Sequence, residues 1–234
     1  MDVEGKKAVI FGGTSGIGLA TAKQLAALGC NVCAISRNPN RVGDKPHGVT
    51  LKKCDVLNRD AMAALFQECA PIDILVSAAT GGSRAIGPFL GMDMDSYQAS
   101  FDKLWGYANV VRYGTEHLAA DGNIVLVSGT PARKCKPGQV SLSSVGAGVE
   151  ALVRAVAPEL APRRINVVSP GVIDTPMVPM QGGEREAFYT KATADNVIPR
   201  AGSADEVAQA ILFVASNEFV TGTTVEVDGG WILS

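Results

Sequence analysis

Histidine is scarce in this chain of 234 residues: there are two, His47 and His117, and neither stands in a pattern with a partner. Imidazole-held metal centres and Ser-His-Asp catalysis therefore lack their central residue, and no metal site is expected. An excess of one charge is also missing. Twenty-one basic residues against 23 acidic ones leave a formal net charge of −2, which argues against a polybasic face for nucleic acid. Long apolar runs are few; Val207–Ala215, interrupted by Gln209, is among the longest and is too short to span a bilayer, so no membrane contact is expected. Met1–Lys7 is polar and lacks the apolar core of a signal peptide, which makes a cytoplasmic location the expectation. The five cysteines are odd in number and scattered. Cys30 and Cys33 have C-x-x-C spacing, but they flank a predicted strand, where residues three apart face opposite sides. Buried reduced thiols are expected rather than a redox or metal pair.

What the chain does have is apolar substance, 47% of its residues, enough for one domain with a full core. It also has a distinctive opening. Ala8 to Phe11 form a short apolar run of the kind that makes a buried parallel strand. Gly12, Gly16 and Gly18 follow, and Leu19 to Leu28 reads as a helix. A strand, a glycine-rich turn and a helix N-terminus together make an anion site, because first-turn N–H groups and the helix dipole favour negative charge and glycine lets a pyrophosphate approach. Gly12, Thr14, Ser15, Gly16, Ile17 and Gly18 are the candidate phosphate-binding residues.

The second strand, Asn31–Ser36, ends in Ser36-Arg37, with Arg41 nearby. An acidic residue at such a tip binds a ribose 2′-hydroxyl and repels a 2′-phosphate. Here arginine stands instead, and its planar fork suits phosphate, so NADP(H) is favoured over NAD(H). The stretch 38–48, with Pro39, Gly43, Pro46 and Gly48, reads as a short irregular connection. Further strands are predicted at Val49–Lys53, Ile72–Ser77, Asn123–Ser128, Ile165–Ser169 and Thr224–Val227. Helices are predicted at Asp60–Cys69 with Asn58 as cap, at Ser96–Leu118, at Val140–Leu160, at Glu184–Ala192 and from the capping box Ser203-Ala204-Asp205-Glu206 to Ser216. Strands alternating with helices point to an α/β fold: a Rossmann-type doubly wound parallel sheet with helices on both faces, in a single domain covering 1–234. Ligands then bind beyond the carboxyl ends of the strands.

These residues resemble the short-chain dehydrogenase/reductase family over essentially the whole chain. Gly12-x-x-x-Gly16-Ile17-Gly18 matches the nucleotide turn, and Cys54-Asp55-Val56 the acidic adenine contact. Glu150-Ala151-Leu152, Glu159-Leu160-Ala161-Pro162 and Ile165-Asn166 through Pro170-Gly171 match the helix and strand on the nicotinamide side. Thr175-Pro176 matches the carboxamide-binding pair, and Thr221-Gly222 with Val227-Asp228-Gly229-Gly230 the C-terminal signature. The resemblance implies cofactor contacts from Asp55, Val56, Ala78, Ala79, Pro170, Gly171, Val172, Ile173 and Thr175. It also implies a homodimer or homotetramer.

The departures fall on the catalytic residues. The family's Asn-Asn-Ala-Gly stretch aligns with Ser77-Ala78-Ala79-Thr80. The catalytic serine aligns with Gly129, the tyrosine with Leu142, the lysine with Gly146 and the assisting asparagine with Lys103. No Tyr-x-x-x-Lys occurs anywhere, and the four tyrosines are Tyr97, Tyr107, Tyr113 and Tyr189. Two readings stand for Lys103. It is either the acid or electrophilic group of a rebuilt site, its pKa lowered in a partly apolar pocket, or a brace filling the space left by Gly146. Tyr107, four residues on, shares its helical face and is a candidate assistant. Arg133 is either an anion clamp at the crevice mouth or a solvated loop charge beside Lys134 and Lys136. Asp174 is expected to tie its loop. A lid is expected over 176–200, with Met177, Val178, Met180, Phe188 and Tyr189 facing a hydrophobic small-molecule substrate and Gly182-Gly183 as hinge. The leading functional expectation is an NADP(H)-dependent oxidoreductase with a non-standard active site, reducing a carbonyl, iminium or similarly activated substrate. The alternatives are a non-redox cyclase or isomerase that keeps the nucleotide as part of its pocket, and a catalytically silent nucleotide-binding partner subunit.

Overall fold

The computed structural model describes residues 2–42, 46–80 and 82–234. The first apolar run forms β1 (Lys7–Phe11), in which Ala8, Val9 and Ile10 are fully buried. A strand covered on both faces has no polar side to show, which is why the run is continuous rather than alternating. The chain continues as α1 (Gly16–Ala27), β2 (Asn31–Ser36), β3 (Val49–Lys53), α2 (Arg59–Cys69), β4 (Ile72–Ser77), α3 (Met94–Ser100), α4 (Asp102–Gly114) and β5 (Leu118–Val127). It ends with α5 (Val140–Leu160), β6 (Arg164–Pro170), β7 (Ile173–Asp174), α6 (Gly182–Thr193), β8 (Gly202–Ser203), α7 (Ala204–Ser216) and β9 (Thr224–Val227). Seven strands make one parallel sheet in the order β3-β2-β1-β4-β5-β6-β9, and β7 pairs with β8 separately. Connections wind outward in both directions from the β1/β4 boundary, so the crevice at the carboxyl ends of the strands lies at that switch point.

Each face of the sheet has its own core. Met62, Leu65 and Phe66 of α2, Tyr107, Val110 and Val111 of α4 and Val149 and Val153 of α5 pack on one face against Val9, Phe11 and Leu75. Ala22 and Leu25 of α1 and Val207, Ile211 and Val214 of α7 pack on the other against Ala8, Ile10 and Ile74. Cys33 belongs to the first core and Cys30 to the second, so the two thiols of the C-x-x-C spacing are separated by the sheet. Gly106 in α4 allows close packing of that helix: a Cβ there would lie 2.5 Å from Val56 Cγ2. Capping follows the sequence. The Asn58 side chain accepts from Ala61 N at 3.0 Å, and Ser203 and Glu206 close both bonds of a capping box.

Four sequence expectations need correcting. The single helix over 96–118 is two, α3 and α4, with a break at Phe101. There the Ser100 hydroxyl donates to Ser96 O and accepts from Ala85 N, and Phe101 N donates to Gln98 O, so the last turn tightens instead of continuing. Strand β5 starts at Leu118 rather than Asn123, because its Ala-Ala-Asp-Gly stretch, which reads as a turn, takes up an irregular register against β4. Gly182 and Gly183 open helix α6 rather than forming a free hinge. Finally, α5 is 21 residues long with mean hydropathy 1.4 over its most apolar stretch, long and apolar enough to cross a membrane, contrary to the reading of apolar runs; here it packs on the sheet with Glu150 buried within it. Gly43, and the side chain of Arg41, lie outside the described residues.

Candidate functional site

Beyond the ends of β1, β2 and β4 lies a crevice of about 360 Å³. Gly12, Thr14, Ser15, Gly16, Ile17 and Gly18 line one side of it; Ser36, Arg37, Asp55, Val56, Ala78, Ala79 and Thr175 line the rest. The turn requires its glycines. Gly12 has φ +76°, and a Cβ on it would lie 2.8 Å from the Ala78 main chain; a Cβ on Gly18 would lie 2.2 Å from Gly12 O. Helix α1 thus seats tightly on β1. Ser15 makes no side-chain cap and no acidic residue stands in the first turn, so the first-turn amides are left for a ligand. The Ser36 hydroxyl is buried and has no partner among the described residues. Asp55 accepts from Leu57 N at 3.0 Å, and Val56 O from Asn109 Nδ2 at 3.0 Å, which fixes the loop after β3.

A second cavity of about 480 Å³ adjoins the first, and the two share Ile17, Ala78, Thr80, Thr175 and Met177. Pro170, Gly171, Val172 and Ile173 line this cavity and not the crevice. So do Gly129, Leu142 and Gly146. Lys103, in the first turn of α4, projects into it, its Nζ donating to Ser128 O at 3.0 Å and lying 5.5 Å from the centre of the Tyr107 ring. Burial, with the positive charge of Arg84 adding to it, pushes the Lys103 pKa down to about 8.

Tyr107 and Arg133 are committed elsewhere. The Tyr107 hydroxyl donates to Val127 O at 3.0 Å, and burial holds its pKa well above the usual phenol range. Its proton is spent on the main chain. Arg133 lines neither cavity: its Nε lies 3.1 Å from Glu150 Oε2 and 3.0 Å from Glu226 Oε1. It is not a clamp at the crevice but a partly solvated counter-ion of two inward carboxylates. Ser141 donates to Ala85 O and Ser144 to Val140 O, so neither hydroxyl is free to donate to a substrate.

A family model described as enoyl-(acyl carrier protein) reductase matches residues 12–232. The chain belongs to the short-chain dehydrogenase/reductase family. It is 34% identical over 253 aligned positions to the 3-oxoacyl-[acyl-carrier-protein] reductase FabG of Thermotoga maritima, with all of both chains covered. Among solved structures it is similar to a small-chain dehydrogenase in complex with NADPH, with a TM-score of 0.84 and 28% identity over 99% of this chain and 100% of that one. It is also similar to the MalC reductase/Diels-Alderase of Malbranchea aurantiaca, with a TM-score of 0.88 and 26% identity over 99% and 97% of the two chains.

A nicotinamide dinucleotide suits what this member of the short-chain family presents: uncapped first-turn amides, an orphaned ribose-side hydroxyl on Ser36 and an adjoining cavity for the reactive end. Three residues that sequence reading passed over complete the site. Thr130, next to Gly129, lines the cavity with its hydroxyl buried and without a partner among the described residues. Its adjacency to Gly129 was the available signal. Arg84 lines the same cavity from the loop after β4, and nothing in its local sequence singles it out. Arg185 on α6 ties that helix to the loop before it: it bonds Asp174 Oδ1, Thr175 O and Met180 O, while Tyr189 donates to Asp174 Oδ1 at 3.1 Å. Asp174 therefore ties its loop to α6. The Arg185 contacts hold its carboxyl below the usual carboxylate range.

Proposed function

We propose that this protein is an NADP(H)-dependent oxidoreductase with a non-standard active site, in which Lys103 handles the proton and the substrate is a small, largely apolar carbonyl compound. The observation that carries this reading is the Lys103 ammonium, held by Ser128 O in an apolar cavity that opens onto the nucleotide crevice. The positions aligned with the family's serine, tyrosine and lysine are Gly129, Leu142 and Gly146, and none of these side chains can give a proton. Tyr107 has no proton to share, and arginine does not deprotonate in this range. Among the described residues, Lys103 is then the one cavity-lining group whose pKa is brought near the working range.

When bound, the cofactor supplies the hydride. Gly12 and Thr14 through Gly18, which line the crevice, would hold its pyrophosphate, Ser36 and Arg37 its adenosine ribose and the 2′-phosphate, and Thr175 the carboxamide. Lys103 Nζ gives a proton to the substrate oxygen as negative charge develops there, and Ser128 O keeps the ammonium aimed. An iminium acceptor needs no such proton, so a carbonyl suits Lys103 better than an iminium does.

The test is Lys103→Met. Loss of an acid costs about 10²–10⁴-fold in turnover, with NADPH affinity unchanged, and wild-type reduction slows as pH rises through about 8. Undiminished turnover with the cofactor bound would sink the reading. A second reading, a non-redox catalyst using the nucleotide as part of its pocket, is favoured by the missing hydroxyls at 129 and 142 and by the likeness to a reductase/Diels-Alderase. It calls for product formation without NADPH oxidation. For assembly we propose a homodimer or homotetramer, supported by exposed Leu90 and Trp105 and tested by light scattering.

A further inference from the structure

The charge in the second cavity is one-sided. Among the described residues its lining holds two ionisable cations, Arg84 and Lys103, and no carboxylate. The remaining wall is largely apolar, with Ile86, Leu142, Ile173, Val178, Met180 and Phe188 around it. Neither cation has a counter-ion within ion-pair distance among the described residues. Lys103 has a carbonyl partner, Ser128 O, which orients it without neutralising it. Arg84 stands at the rim with its side chain partly desolvated, and that loss of water is what lowers its pKa. Two like charges brought together beside apolar surface, each raising the other's energy, are an unfavourable arrangement for an empty protein. It becomes favourable when an anion enters.

We infer that this cavity takes an organic oxyanion: an apolar body bearing the carbonyl to be reduced near Lys103 and a carboxylate or comparable oxyanion at Arg84. This rests on the reductase reading above. The cofactor's own phosphates do not account for Arg84, because they belong to the amide-lined crevice, which Arg84 does not line and Arg37 does. Arginine's fork grips an oxyanion through two parallel N–H bonds, while the apolar wall takes the body. An anion at the rim also favours the protonated form of Lys103, so substrate entry loads the acid that the reaction uses.

Calorimetric titration with phenylbutyrate, phenylpropylphosphonate and phenylbutyramide, in the presence and absence of NADPH, tests this. At least one oxyanion binds about 10-fold or more tightly than the neutral amide. The preference disappears in Arg84→Met and partly returns in Arg84→Lys, which keeps the charge but loses the fork. The tighter of the two oxyanions identifies which kind the site prefers. Equal or tighter binding of the amide, or no binding of any probe, overturns the inference. An NADPH titration on the same samples separates the two readings: intact NADPH binding with no anion preference removes only this inference, whereas anion preference without NADPH binding removes the reductase, and with it the reducible carbonyl, and leaves only an oxyanion site at Arg84.

Discussion

Lys103 Nζ lies 3.0 Å from the carbonyl oxygen of Ser128, so this ammonium is anchored at the end of β5. The anchor orients the ammonium but does not offset its burial, which lowers the Lys103 pKa from 10.5 to about 8. Between those values the unfolded chain binds a proton that the folded chain does not, so folding stability rises with pH across that window and the burial penalty is fully present below it. In Lys103→Met the slope is gone. Denaturant titrations at neutral pH and near pH 10 should show wild type gaining on the variant by about 1–3 kcal/mol. A pH-independent difference between the two would mean the ammonium is well solvated.

Arg37 is exposed at the tip of β2 and lines the nucleotide crevice with no acidic partner among the described residues. A 2′-phosphate there gains a charge-assisted bond worth about 1.5–3 kcal/mol, whereas a 2′-hydroxyl gains little. Arg37→Leu should weaken NADPH by about 10–100-fold and change NADH by less than about 3-fold. Salt should weaken NADPH binding more than NADH binding. Equal losses for both cofactors would remove the basis for NADP(H) preference.

The fold was legible because parallel strands buried on both faces announce themselves as continuous apolar runs, and the helices Val140–Leu160 and Ala204–Ser216 begin and end where their patterns do. The nucleotide crevice was legible for a related reason: its turn needs glycine at fixed positions, and Gly12 and Gly18 stand where a Cβ would strike the main chain. The second cavity was legible in part: Lys103, Gly129, Leu142, Gly146 and the apolar side chains of 177–188 were expected there and line it, but its remaining residues are chosen by shape and charge in three dimensions. Arg133 lies in a basic loop and looks solvated until Glu150 and Glu226 are seen around it. Tyr107 shares a face with Lys103, yet that face turns its hydroxyl to Val127 O. Arg84 has no local pattern at all; only the folded loop brings it to the rim beside Lys103. The break at Phe101 depends on Ser100 meeting Ala85, a contact the local sequence does not encode.

Thr130 is 1% exposed, and its hydroxyl lacks a partner among the described residues. A buried hydroxyl left unpaired costs about 1–3 kcal/mol, and it is tolerated when a ligand supplies the missing bond. Thr130→Val should leave the melting temperature unchanged or raise it by about 2–4 °C, while reducing kcat/KM or oxyanion-probe affinity by about 10-fold. Unchanged binding and turnover would make Thr130 a packing residue only.

Arg133 reaches Glu150 and Glu226 together, and Glu150 also accepts from the Ser128 hydroxyl at 3.2 Å. This cluster stands behind the strand end that carries Lys103's anchor, so its integrity fixes where the ammonium points. Burial pushes the Glu226 carboxyl above the usual carboxylate range, and Arg133 opposes that rise. Arg133→Met removes the opposition and leaves two inward carboxylates facing each other. Because Arg133 is 40% exposed, the loss at neutral pH should be about 1–3 kcal/mol, below the 3–5 typical of breaking a fully buried pair. The sign with pH is set by Glu226. A carboxyl with a raised folded pKa favours the folded state while protonated, and that advantage fades as pH rises through the raised value. The variant's deficit should therefore be largest at neutral pH and shrink as pH falls towards the ordinary carboxylate range. Glu226→Gln added to Arg133→Met should recover much of the stability and flatten the profile. A deficit that stays constant with pH, or that the second substitution fails to relieve, would mean that Arg133 contributes through packing of its stem and not through its charge.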